Sequence, residues 1–247
     1  MSPRQRPGAP PGPDRGGSDQ LTLKLWRERT ASFSAYEPGP NAQALRCLAQ
    51  PLSEYSPAHV YLWGARGVGK THLLLGACEA HTAAGAQAVY LDLAACAASP
   101  GPGVLTGLER ADLVCLDNLE AVATSGPWAH ALFSLYERIG GQRTRLVFAA
   151  DSAPAQVRSA LPDLASRLAR AVVFRLLPLP DEALPAALMR RAASRGFDLP
   201  EAGARFLVSR LPRRMDALCA AVDALDVHTL ATHKKASIPA IKEILDL

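Results

Sequence analysis

Gly64-Ala65-Arg66-Gly67-Val68-Gly69-Lys70-Thr71 carries more information than any other eight residues of this chain. It meets G-x-x-x-x-G-K-[ST] at every fixed position. The apolar run Val60-Tyr61-Leu62-Trp63 precedes it, and a Leu- and Ala-rich helical pattern follows from Thr71 to Ala84. Glycines let the backbone turn tightly, so that successive N–H groups point inward at phosphate oxygens. The start of the following helix adds partial positive charge. Lys70 is expected to neutralise the β and γ phosphates of a nucleotide, and the Thr71 hydroxyl to ligate Mg²⁺. The nucleotide-binding set is read as Gly64, Ala65, Arg66, Gly67, Val68, Gly69, Lys70 and Thr71, with His72 beside it at the helix start.

Outward from this loop, short apolar runs alternate with helical patterns. Ala88–Leu93, Asp112–Asp117, Arg145–Ala150 and Val172–Leu176 read as further strands, with helices over Trp128–Ile139 and up to Leu168. Runs of four to six apolar residues joined by helical patterns mark a parallel sheet covered on both faces. Upstream, Asn41 is a candidate N-cap for a helix carrying Ala44, Leu45 and Leu48 on one face. After Pro178-Leu179-Pro180 only helical patterns remain: Asp181–Arg195, Pro200–Ser209, Arg213–His228 and Ile238–Leu245. The expected fold class is α/β, a parallel sheet flanked by helices, followed by a small all-helical domain from about residue 181.

Asp117 ends an apolar strand where a second Mg²⁺ ligand would stand above the carboxyl edge of the sheet. The next residue is Asn118, whose amide cannot take a proton from an attacking water. Glu120 follows at an unspecified angle. A site that binds nucleotide and hydrolyses it poorly is the expectation. Asp151, ending the fourth strand, receives no catalytic part.

The chain has 247 residues, 49% of them apolar and 20% charged, with 27 Lys plus Arg against 23 Asp plus Glu. That is enough for a sizeable core, and the net charge of +4 does not single out a nucleic-acid binder. No run nears the roughly 20 apolar residues of a membrane helix, so no membrane association is expected. Half of residues 1–18 are Pro or Gly, which reads as a disordered tail without an export signal. The five cysteines (Cys47, Cys78, Cys96, Cys115 and Cys219) include no C-x-x-C and read as buried free thiols of a cytoplasmic protein. The six histidines show no metal-ligand spacing. Residues 19–26 form a separate short segment in which Leu21, Leu23 and Leu25 alternate with polar residues.

Taken with the phosphate loop, the strand ending Leu116-Asp117-Asn118-Leu119-Glu120, the segment Leu161-Pro162-Asp163-Leu164-Ala165-Ser166-Arg167-Leu168 and the helical C-terminal part resemble the AAA+ ATPases of the bacterial initiator DnaA type. Ile238–Leu245 and Gln20–Leu25 narrow the resemblance to the DnaA-related regulatory inactivators of that family. It covers about residues 19–247 and implies an AAA+ core over 27–180 and a helical lid over 181–247. It also implies bound ADP (or ATP) with Mg²⁺. Arg167 falls where the family carries its arginine finger, here acting in trans on DnaA-bound ATP. Gln20, Leu21, Thr22, Leu23 and Leu25 resemble the motif that docks on the DNA polymerase III β sliding clamp. The implied function is stimulation, from a DNA-loaded clamp, of DnaA's ATP hydrolysis, which inactivates DnaA and prevents re-initiation; the chain itself would be a weak ATPase or none. Asp216 falls where a sensor-2 arginine is expected, leaving Arg213 and Arg214 as candidate lid contacts to phosphate. An autonomous P-loop ATPase, such as a helicase loader, is the alternative. Little direct sequence-specific DNA binding is expected, since the chain ends at its lid, and homo-oligomerisation stays open.

Overall fold

The computed structural model describes residues 31–52, 59–140, 143–232 and 236–247. The N-terminal tail and the Gln20–Leu25 segment lie outside these. Five strands, β1 (His59–Trp63), β2 (Ala88–Asp92), β3 (Leu113–Asp117), β4 (Arg145–Ala150) and β5 (Val172–Arg175), form one parallel sheet in the order β2-β3-β4-β1-β5. Register places Trp63 opposite Ala150, and Asp92 opposite Asp117. The residues that follow β1, β3 and β4 therefore emerge together along one edge.

Alternation along the strands divides the core between the two faces. Tyr61, Leu146 and Phe148 point to the face covered by Trp128, Leu132 and Leu135 of α4 (Gly126–Ile139). Leu62, Val147 and Cys115 point to the other, where Leu73, Leu74 and Cys78 of α2 (Lys70–Ala83) cover them. Burial on both faces is why β3 and β4 are buried at every position and read as unbroken apolar runs. Each large apolar side chain so buried contributes about 1.5–3 kcal/mol. β5 is an edge strand, with Val172 and Val173 about 40% exposed.

The remaining helices are α1 (Ala42–Ala49), α3 (Leu93–Ala98) and α5 (Pro162–Leu168) in the sheet domain. α6 (Leu184–Ser194), α7 (Glu201–Arg210), α8 (Met215–Thr232) and α9 (Ile238–Leu245) follow it. These four pack around their own core of Leu188, Leu207, Leu218, Val222, Leu225 and Ile241. None of the described helices is long and apolar enough to cross a membrane.

Two local readings need correction. The strand expected over Ala88–Leu93 stops at Asp92, whose carboxylate accepts from the Ala94 N–H and so caps α3 instead. Asn41 precedes α1 but makes no side-chain cap. Its amide is spent elsewhere: Nδ2 donates to the Leu177 carbonyl and Oδ1 accepts from the Leu177 N–H, each at 2.9 Å. A paired amide stitches the chain before the sheet to the segment after it. All five cysteines are free; Cys78, Cys96 and Cys115 are buried, while Cys47 and Cys219 are half-buried.

His81 on α2 is buried, with Nε2 3.1 Å from the Leu48 carbonyl, and burial holds its pKa below the ordinary 6.5. His72 is displaced the same way, again chiefly by burial. Below pH 6.5 the unfolded chain takes up protons that the folded chain refuses, so these residues favour folding above that pH and lose that contribution as pH falls through 6.5. The urea midpoint is expected to drop between pH 7.5 and 5.5, and His81→Gln to flatten the drop. An equal drop in H81Q would show that other groups set it.

Candidate nucleotide site

The phosphate loop leaves β1 at Gly64 and enters α2 at Lys70, and its backbone admits few side chains. A Cβ on Gly64 would lie 2.5 Å from the Leu176 carbonyl oxygen. Gly69 has φ +97°, and a Cβ there would lie 2.8 Å from the Tyr36 ring. The motif glycines thus answer both to turn geometry and to the packing of neighbouring segments.

Lys70 is almost fully buried, at 7% exposure. Its Nζ donates to the carbonyls of Gly64 (2.6 Å) and Ala65 (3.3 Å) and to Asp151 Oδ1 (2.6 Å). Asp151, given no role in the sequence, is therefore the carboxylate that faces the loop lysine. Thr71 Oγ1 donates to Asp117 Oδ2 at 2.6 Å, and Asp117 is completely buried. The Tyr90 hydroxyl donates to the same oxygen at 3.0 Å, and the Asn118 N–H to Oδ1 at 2.9 Å. Burial raises the Asp117 pKa, against those three hydrogen bonds. A buried carboxylate touching a hydroxyl is a hard-oxygen pair that suits Mg²⁺, whose charge would favour the ionised acid. Thr71 and Asp117 would hold the ion, and it would supply countercharge to phosphate.

Asn118 sits in the left-handed region (φ 56°), and its Nδ2 donates to Asp92 Oδ1 at 2.8 Å. Its amide can hold a neighbour but cannot accept a proton. Glu120 faces the cleft, with Oε2 3.3 Å from the Asp151 N–H. Burial, reinforced by the Asp151 charge, raises its pKa.

These groups line one cleft of about 790 Å³ between the sheet domain and the C-terminal helices. That is within the range of small-molecule sites. Tyr36, His72 and Leu75 line it from the sheet domain, and Arg191, Met215, Asp216 and Cys219 from the helices. The rings of Tyr36 and His72 are 5.3 Å apart, and His72 Nε2 is 2.8 Å from the Ser32 carbonyl. Burial pushes the Tyr36 hydroxyl up to about 12. Arg191 grips Asp223 with Nε and Nη2 at 2.9 and 2.8 Å. Tyr36 and Arg191 come to the cleft from far apart in the sequence.

Arg213 and Arg214, the candidate lid contacts to phosphate, are each paired with a carboxylate. Arg213 pairs with Asp181, and Arg214 Nη2 with Asp216 at 2.5 Å. Both line a cavity of about 440 Å³ beside Ala65–Val68, which shares Arg66, Gly67, Val68, Leu179 and Met215 with the larger cleft. Neither is among the residues lining the cleft that contains Lys70 and Thr71, although Asp216, the partner of Arg214, is.

Arg167 is likewise absent from the cleft lining. It stands on α5, with Nη2 2.9 Å from Glu137 Oε1 and its guanidinium carbon 5.9 Å from the centre of the Phe133 ring. Gln20, Leu21, Thr22, Leu23 and Leu25 lie outside the described residues. Among the described residues no group of three or more His, Cys, Asp or Glu could hold a metal ion.

Comparison with known proteins agrees with this architecture. Residues 181–245 match the family model of the Hda lid domain. Domain III of the replication initiation protein DnaA from Thermotoga maritima superposes with a TM-score of 0.70 at 18% identity, over 87% of this chain and 95% of that one. AMPPCP-bound DnaA from Aquifex aeolicus gives 0.63 at 14% identity, over 82% of this chain and 66% of that one. A DnaA bound to AMPPCP and single-stranded DNA gives 0.56 at 15% identity, over 78% and 60%. The chain thus spans nearly all of the isolated domain III but less than two thirds of the length of the two longer DnaA chains. At these identities the likeness establishes the fold.

Proposed function

We propose that this chain, an Hda-like, DnaA-related AAA+ protein, regulates replication initiation from the cytoplasm by acting on the nucleotide of another protein. It holds ADP or ATP with Mg²⁺ in its own cleft, docks on the DNA polymerase III β sliding clamp through Gln20–Leu25, and lends Arg167 to ATP bound by DnaA. Hydrolysis of that ATP leaves DnaA inactive and blocks re-initiation.

One observation carries the reading: the single arginine of the Ser166-Arg167-Leu168 segment stands outside the cleft that gathers Lys70, Thr71 and Asp117. A guanidinium placed there cannot serve this chain's own phosphates and is available to a neighbour's. It is planar and permanently charged, and it can donate two parallel hydrogen bonds to the oxygens of a transferring phosphoryl group. The contact that holds it, a half-exposed ion pair with Glu137, costs no more than about 1 kcal/mol to leave. Within the cleft, Lys70 would bind phosphate, Thr71 and Asp117 would hold Mg²⁺, and Asn118 would keep Asp92 in place without activating water. The nucleotide then serves to set the lid against the core.

Clamp dependence tests the docking step. The double substitution of Gln20 and Leu23 by Ala is expected to abolish retention on DNA-loaded clamp in gel filtration, with nucleotide affinity unchanged. Normal retention of that variant would remove the segment from the mechanism.

Glu120 favours a second reading. A carboxylate of raised pKa facing the cleft is a suitable general base, and an autonomous ATPase would use it. That reading expects multiple turnovers from the purified chain, removed by Glu120→Gln.

A further inference from the structure

At the end of the sheet opposite the nucleotide cleft, β4 begins with an arginine whose side chain is enclosed. Arg145 is only 2% exposed. Its Nη2 donates to the carbonyl oxygen and to the Sγ of Cys47, in the last turn of α1, each at 3.2 Å. Nε and Nη1 are buried and have no hydrogen-bond partner among the described residues. No described carboxylate accepts from this guanidinium, so its charge is held out of water without a counter-anion, which is costly. The side chain it does touch is a thiol.

The surroundings of Cys47 set it apart from the other cysteines. Cys78, Cys96 and Cys115 are buried, whereas Cys47 and Cys219 are half-buried and within reach of a small solute. Around Cys219 the guanidinium groups are already engaged. Arg191 grips Asp223 through Nε and Nη2, and Arg195 pairs with Asp223 and Asp226. Beside Cys47, two guanidinium nitrogens still lack an acceptor. A partly exposed thiol in positively charged surroundings is the kind that reacts, while thiols buried among apolar groups are inert.

We propose that Cys47 is an oxidative modification site, where a hydroperoxide converts the thiol to a sulfenic acid and Arg145 stabilises the negative charge that develops. The sulfur attacks the terminal peroxide oxygen, and the S–O bond forms as the O–O bond breaks. Sulfur gives up two electrons; the leaving oxygen takes the thiol proton and departs as water or an alcohol. The oxygen left on sulfur brings an acceptor to a guanidinium that has unused donors, and such charge-assisted hydrogen bonds are strong ones. Cys47 does not line the nucleotide cleft, so the proposal stands apart from the function assigned to that cleft.

The test treats the full, reduced chain with hydrogen peroxide in the presence of dimedone, which traps sulfenic acids. Mass spectrometry of digests follows the label on each cysteine with time. Cys47 is expected to be labelled at least about tenfold faster than Cys219, although both are half-buried. Cys47→Ser should remove the fast labelling. Arg145→Met keeps much of the length without the charge and should slow Cys47 about tenfold, the effect of one hydrogen bond to a charged group. Labelling of Cys219 should not change. Should R145M fold poorly, the ratio of Cys47 to Cys219 in the wild-type chain decides alone. Cys219 labelled as fast as Cys47, or an undiminished rate at Cys47 in folded R145M, overturns the proposal.

Discussion

Arg167→Ala should lower the stimulated hydrolysis of DnaA-bound ATP by at least about 10³-fold, the usual contribution of an arginine finger supplied in trans. Clamp retention and nucleotide binding should not change, because Arg167 does not line the cleft and is not part of the Gln20–Leu25 segment. Folding should hardly notice: the side chain makes one ion pair, to a Glu137 that is 47% exposed, and such pairs contribute about 0–1 kcal/mol. Arg167→Lys keeps the charge and loses the planar fork, so partial or no rescue is expected. Phosphate release from preloaded DnaA, at a fixed amount of loaded clamp, reads all three proteins. Full stimulation by R167A would remove the finger from the mechanism.

Lys70→Ala should weaken nucleotide binding on the order of 100-fold or more, through loss of charge-assisted hydrogen bonds to phosphate in a nearly dry position. The vacated Asp151 is 56% exposed and can be hydrated, so the fold should survive. Fluorescence anisotropy of a labelled adenine nucleotide measures the affinity, and a denaturant melt checks folding. Affinity within a few-fold of the wild-type chain would place the nucleotide elsewhere.

The two substitutions act on sites of unequal legibility. The phosphate loop could be read because its chemistry is local: glycines, lysine and threonine at fixed spacing between an apolar strand and a helix. Strands β3 and β4 were readable for the same reason, since burial on both faces leaves almost no polar residue to interrupt the run. What the chain order conceals is whatever the sheet brings together. Asp151 meets Lys70 because β4 lies beside β1, 81 residues apart in sequence. Tyr90 reaches Asp117 because β2 lies beside β3. Asn41 has the residue type and position of a cap, but a tertiary pairing with Leu177 claims its amide. The resemblance and helix spacing offer Arg213 and Arg214 as lid contacts, but not the carboxylates, Asp181 and Asp216, with which the fold pairs them. The lid could be recognised as helical, whereas the inward position of Asp216 depended on how α8 docks over Gly67.

Everything turns on whose triphosphate is consumed, and labelled ATP follows that without ambiguity. DnaA is loaded with γ-labelled ATP, this chain with unlabelled ADP, and both are mixed on DNA-loaded clamp while released phosphate is counted. Label is expected to be freed only when all three are together, and the chain holding labelled ATP by itself should free almost none in the same time. Rapid release from the chain alone, or no release from the complete mixture, would contradict a role in trans.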